Sequence, residues 1–160
     1  MDNGVGSDAV SSATHLVAAV WAAFAAVVLW RLTRGHGPKR WAVVFYGVSM
    51  VLLYLASGLF HGARHLTGEI STPLQKLDKS AIFLLIGGSQ LPVFAYLLSG
   101  AWRRWSVGLT VGFAAVGVGL IWLWPTLPHV WLVGVYVGMG VAGMIPFPVF
   151  LPLVGWKGAR

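Results

Sequence analysis

The chain has 160 residues, of which 58% are hydrophobic and 9% charged, against roughly 45–50% and about 25% in an ordinary soluble domain. That composition excludes a soluble globular domain. A spanning helix takes about 20 mostly apolar residues, and the sequence offers several such runs in succession. None of the alternating segments of about ten residues that a membrane barrel would need is seen. With no cysteine, disulfide frameworks, thiolate zinc sites and cysteine nucleophiles are excluded. The formal net charge of +7 comes from basic residues clustered in short loops between apolar runs. These read as topology signals rather than as a nucleic-acid surface.

In chain order, the small polar start carries Asp2 and Asp8 and no Lys or Arg before the first apolar run. The basic start of a secretory signal peptide is missing there, so that run is expected to be a retained span. It covers about 15–32, followed by the basic loop RLTRGHGPKR, and a second span over about 41–61 ends in YLASGLFHGARH. The loop HLTGEISTPLQK leads to a third span over about 78–99, in which Gly87, Gly88 and Pro92 predict a kink or a close helix approach. Trp102, Arg103, Arg104 and Trp105 read as an interfacial loop. A fourth span covers about 105–124 and, after the tight WPTLPH turn, a fifth covers about 130–150, broken in its last third by Pro146, Pro148 and Pro152. Glycines recur in GFAAVGVG and GVYVGMGVAG, a signal for close packing of spans four and five. The expected fold is an all-α membrane protein, residues 1–160 forming a single integral domain of about five transmembrane helices in a compact bundle.

Five alternating spans put His15, His61, His65, Asp78 and His129 at helix ends on one membrane face, with His36 on the other. Tyr54, Ser57 and His61 follow one another at nearly one-turn spacings and project from one helix face. A polar stripe in a span is costly unless it faces other helices or water. The plainer account is a serine bonded to its own helix and a snorkelling histidine. Asp78 either caps the third span or addresses a metal, a water or a partner. Neutral imidazoles suit zinc, whose catalytic sites take about three protein ligands and an open position. His61 and His65 have the i, i+4 spacing of helix-borne metal pairs, although Gly62 and Gly68 surround His65 and the helix can end before it.

At these residues the sequence resembles the hemolysin III family, within the wider progestin and adipoQ receptor (PAQR) superfamily. The resemblance covers about residues 8–150 and rests on SSATH at Ser11–His15, SGLFH at Ser57–His61 and LDKSAIFLLIGGSQLPVF at Leu77–Phe94, with a weaker echo in VYVGMG at Val135–Gly140. It implies a multi-pass protein of the bacterial cytoplasmic membrane, with membrane lipids as partners. It also implies a zinc site near one membrane surface, with His61 as ligand, Asp78 bonded to the zinc-bound water and Ser57 beside it. The family has seven spans, and its two other zinc ligands form an H-x-x-x-H pair in the seventh. Five spans are counted here, so a shortened bundle without the sixth and seventh is expected. A zinc set would then be completed from His65, His15 or His129, by a second copy or by a helper subunit. Lys79 stands where the family commonly has histidine, placed to pair with Asp78 or to compete with a cation.

Three functions follow as expectations. One is a membrane protein of lipid homeostasis that keeps Ser57, His61 and Asp78 as an interhelical polar network. Another is a zinc-dependent hydrolase of lipid amides or esters, with Asp78 taking a proton and Ser57 at the oxyanion. The third is a cytolytic pore, for which no span supplies a polar stripe long enough to line a channel. Orientation stays open as well. The family places the N-terminus and zinc site on the cytoplasmic side, whereas eight of the eleven Lys and Arg residues fall on the opposite face.

Overall fold

The computed structural model describes residues 5–149. Five helices follow in order: α1 (Val5–Leu32), α2 (Arg40–Ala63), α3 (Gly68–Leu97), α4 (Gly100–Leu123) and α5 (His129–Ala142). All five, with α5 counted together with the residues that follow it to Val149, are long and apolar enough to cross a membrane. Each helix packs on the next, and α3 also meets α5, giving an up-and-down bundle whose sequence neighbours are antiparallel. Large apolar side chains such as Val20, Trp21, Phe24, Trp105 and Val130 cover the outside, the surface expected where the solvent is hydrocarbon.

Several boundaries differ from those expected. Helix α1 starts at Val5 and α3 at Gly68, ten residues before the predicted spans. Hydropathy marks where a helix becomes apolar, not where its backbone hydrogen bonds begin. At 30 residues α3 is about 45 Å long, against a hydrocarbon core of about 30 Å, which leaves length for its polar first turns. Of the predicted loop after α2, only residues 64–67 are non-helical. Pro73 and Pro92 lie within α3. Gly87 and Gly88 serve close approach: a Cβ at Gly87 would press on Met139 and Thr110, and one at Gly88 on Ser49 and the Tyr46 backbone.

Trp102–Trp105 occupy the first turns of α4 rather than a loop, and the α3–α4 connection is two residues long. Between α1 and α2 the chain reverses through Gly35 (φ 89°) and Gly37 (φ 56°), conformations that an L side chain rarely adopts. Helix α5 ends at Ala142 and a run of turns carries the chain through Pro146, as the prolines predict. Pro152 and the C-terminal Lys157 and Arg160 lie outside the described residues.

Two packing centres hold the bundle. On one side α1 lays Ala19, Ala22 and Ala26 along α2, and Ala19 and Ala22 are buried. On the other, Phe83 of α3, Ile121 of α4 and Leu132 and Met139 of α5 form a core, with Tyr136 stacked on Phe83 at 4.3 Å between ring centroids. Gln90 ties the three helices polar-to-polar: it donates to the Met139 carbonyl (3.0 Å) and accepts from Thr110 Oγ1 (2.7 Å). Such side chains are satisfied only inside a bundle. The glycines of α4 and α5 divide: an added Cβ at Gly117 would press into the Phe83 ring and one at Gly138 would touch Phe113, as close packing predicts, whereas Gly108, Gly112, Gly119, Gly134 and Gly140 have nothing within 4 Å.

Candidate functional site

The first turns of α1 and the last turns of α2 meet antiparallel at one end of the bundle. Asp8, Ser12 and His15 follow at i, i+4 and i+7 on α1. Tyr54, Ser57 and His61 follow at i, i+3 and i+7 on α2. Each set therefore forms one stripe, and because the helices run in opposite senses, the start of one stripe meets the end of the other. His61 Nδ1 donates to Asp8 Oδ1 at 3.0 Å, and Arg64 Nη1 reaches the same oxygen at 3.0 Å. One turn deeper, His15 Nδ1 and Ser57 Oγ share a hydrogen bond of 2.9 Å, its direction set by the His15 tautomer. Between these pairs Ser12 Oγ donates to the Gly58 carbonyl at 2.8 Å.

Close approach makes these bonds possible. A Cβ at Gly58 would lie 2.8 Å from Leu16 Cγ, and one at Gly62 would lie 2.9 Å from Ser12 Oγ. Hydrogen at both positions lets α1 come near enough for short side chains to bridge. The rings complete the cluster: His15 and His61 meet edge to face at 5.7 Å between centroids, with Tyr54 6.2 Å from His15 and Phe60 5.3 Å from His61. His61 and Asp8 are each about a fifth exposed. The cluster is thus half-sheltered at a membrane face, where a bonded polar group costs little and an unbonded one would cost more.

An ionised carboxylate only accepts, so Asp8 places the proton on His61 Nδ1 and leaves Nε2 as the free position when the ring is neutral. Ser57 pairs with His15, whereas Asp8 pairs with His61. A serine–histidine–acid relay needs both partners on one imidazole. Here the elements of such a relay are divided between two rings.

Of the residues singled out from sequence, the structure joins His15, Ser57 and His61. His65 follows the end of α2 at Ala63 and is exposed in the turn, so its spacing from His61 does not place both on one helix. His129, the first residue of α5, is also exposed. Asp78 is the eleventh residue of α3 rather than its start, which removes the capping reading. No hydrogen bond or ion pair joins it to the His15–His61 pair or to Lys79 among the described residues. On the adjoining turn the Tyr136 hydroxyl donates to the Lys79 carbonyl at 2.8 Å.

Among the described residues no three His, Cys, Asp or Glu side chains are grouped so as to hold a metal ion. The donors they bring together therefore fall short of the three-ligand zinc set. Asp8 and Arg64 are the participants that sequence reasoning missed. The i, i+7 spacing of Asp8 from His15 would have pointed to the first, had α1 been started early enough.

Among the described residues the opposite end of the bundle has no acid. Arg34 and Arg40 flank the Trp30 ring at 4.8 and 4.6 Å, and His36 and Lys39 lie on Tyr96 at 5.9 and 5.5 Å. This is the amphipathic belt of a membrane interface.

Comparison with known proteins gives a consistent picture. The model of a family described as haemolysin-III related matches residues 5–159. Hemolysin-3 of Bacillus cereus is 33% identical over 119 residues, which is 73% of this chain and 53% of that protein. The hemolysin-3 homolog of Bacillus subtilis (strain 168) is 34% identical over 90 residues, covering 54% of this chain and 41% of the relative. The chain thus spans about half the length of the curated relatives it matches.

Proposed function

The chain belongs to the haemolysin III-related family and is an integral multi-pass membrane protein; from that premise we propose that it acts in lipid homeostasis of the bacterial cytoplasmic membrane. In this reading the His15, Ser57, His61 and Asp8 cluster locks α1 to α2 at one membrane face and responds to the lipid packed around it. The carrying observation is the division of partners, Asp8 on His61 and Ser57 on His15. That arrangement spends the polar groups on joining two helices and gives Ser57 no acid-backed base. The test is the lipid composition of membranes from cells expressing the protein, its His61→Ala variant or neither. The protein is expected to shift acyl-chain or headgroup composition, and the variant to lose most of that shift. Identical lipids in all three would sink the reading.

A zinc-dependent lipid hydrolase is the second reading, supported by one feature of the same cluster. A carboxylate on one ring nitrogen with the other left free is how metal-ligating histidines are commonly oriented, and Asp8 on His61 Nδ1 has that form. Its further ligands would come from outside the cluster, from a second copy or a helper subunit. Elemental analysis of purified protein beside His61→Ala separates the readings. About one zinc per chain, lost in the variant, favours the hydrolase; no zinc in either protein favours the helix lock.

A further inference from the structure

A second polar site lies at the same membrane face but on the other side of the bundle. A cavity of about 110 Å³ opens between the early turns of α3, the end of α4 and the start of α5, lined in part by Thr72, Lys76, Lys79, Trp124 and His129. Its volume equals a few waters, at about 30 Å³ each in the liquid. The lining holds two lysines, a histidine and hydroxyl and amide donors, but no carboxylate. Both lysines are half-buried, and among the described residues neither makes an ion pair. Lys76 is steadied instead by the Trp122 ring, 5.3 Å from its Nζ. Asp78, next to Lys79 in sequence, does not line the cavity.

Helix α5 adds to the positive potential. It starts at His129 in the cavity wall, and no side chain caps its N-terminus; Trp131 N–H turns back to the Pro128 carbonyl at 3.0 Å, which leaves the N–H groups of His129 and Val130 for an acceptor. Two half-buried cations without an anion are costly at a membrane interface unless the membrane supplies one. Trp122 and Trp124 beside them mark headgroup depth.

We propose that this cavity binds a phosphate group, with Lys76 and Lys79 as its charge partners and the start of α5 as a third, backbone contribution. The chemistry is that of a phosphomonoester or phosphodiester. At this depth the source is the headgroup of an anionic phospholipid or free phosphate at the surface. The site is separate from the His15–His61 cluster and stands whichever function that cluster serves.

The experiment is native mass spectrometry of the detergent-purified full chain with phosphatidylglycerol and with phosphatidylcholine. Three proteins are compared: the wild type, a Lys76→Gln/Lys79→Gln variant and an Arg103→Gln/Arg104→Gln variant altered at the opposite face. The wild type is expected to retain phosphatidylglycerol in preference to phosphatidylcholine, the lysine variant to bind it roughly thirtyfold more weakly, and the arginine variant to bind it as the wild type does. Inorganic phosphate is added as competitor. Displacement of the lipid assigns the site to phosphate from either source, and no displacement assigns it to the lipid headgroup. Equal retention by the lysine variant, or an equal loss in the arginine variant, overturns the proposal. Should the lysine variant fail to fold, Lys76→Arg/Lys79→Arg must keep the preference, and a wild type that retains both lipids alike refutes it.

Discussion

Glycine lines both the α1–α2 seam and the outer side of α4 and α5, and the two stripes do opposite things. At Gly47 an added Cβ would stand 2.8 Å from Ala26 Cβ and 3.1 Å from its Cα, and Gly58 and Gly62 are as close to Leu16 and Ser12. At Gly108 and Gly112 it would meet nothing within 4 Å. The difference lies in the facing surface. Helix α1 offers Ser12, Ala19, Ala22 and Ala26, so two backbones come together and short polar side chains bridge them. Gly108 and Gly112 instead lie exposed in an open apolar groove of about 650 Å³, lined by Trp105, Leu109, Phe113 and Val116 of their own helix and by Val135 of α5. A glycine stripe reports close packing only where a second helix stands against it, whether that helix offers a small side chain, as Ala26 does to Gly47, or a large one, as Phe83 does to Gly117.

The sharpest way to break this contrast is to add one methyl group where space is absent. Gly47→Ala should lower stability by about 1–3 kcal/mol, because the facing atoms are a Cβ and a backbone Cα and the helices must part to admit it. Gly117→Ala should cost a similar amount, its Cβ meeting the ring of Phe83, which is fully buried. Thermal unfolding in detergent reads both effects. Wild-type melting in Gly47→Ala would show that the seam has slack. Gly47→Ala should also loosen the His15–Ser57 and His61–Asp8 pairs, which depend on the same approach.

Polar ties come next. Gln90→Leu removes two hydrogen bonds and leaves the buried Thr110 hydroxyl without its acceptor, a loss of about 1–2 kcal/mol, offset in part if Thr110 bonds its own helix. A variant as stable as wild type would mean that apolar packing alone joins α3, α4 and α5. At the other centre, Asp8→Asn keeps an oxygen for His61 but gives up the charge that faces Arg64. A smaller loss is expected, one that shrinks as salt is raised, since Arg64 is more than half exposed. Equal melting curves at low salt would count against any role for Asp8 in holding the cluster.

Sequence reading located the spans because hydropathy is a one-dimensional property, and it located Ser57 and His61 because both lie on one stripe of one helix. It failed where the answer depended on a second helix or on a boundary. Asp8 falls in the small polar start when α1 is begun at His15, about two turns too late to show the Asp8–His15 stripe. His65 was grouped with His61 by spacing, but the helix ends between them. Asp78 was expected at a helix start, and ten further residues of helix precede it. Among the glycines of α4 and α5, Gly117 makes the expected close contact and Gly112, Gly119, Gly134 and Gly140 make none, because spacing shows which residues share a face and is silent on what that face meets.

The smallest expected effect has the opposite sign. Gly108→Ala and Gly112→Ala add methyl groups into open space at mid-helix positions, where glycine is less favourable than alanine by up to about 1 kcal/mol. Each should therefore leave stability unchanged or raise it slightly, by restricting the unfolded chain and improving helix propensity. Because the two positions lie at i, i+4 in one groove, the double variant should differ from the sum of the single ones only by the small contact between the two new methyl groups. Gly47→Ala beside them supplies the internal standard: the same chemical change, in the same kind of apolar helix, with the cost set only by what stands opposite. If Gly108→Ala/Gly112→Ala melted as low as Gly47→Ala, the outer face of α4 would have to be in contact with something in the purified protein. Its mass by size exclusion with light scattering would then show whether that is a second copy.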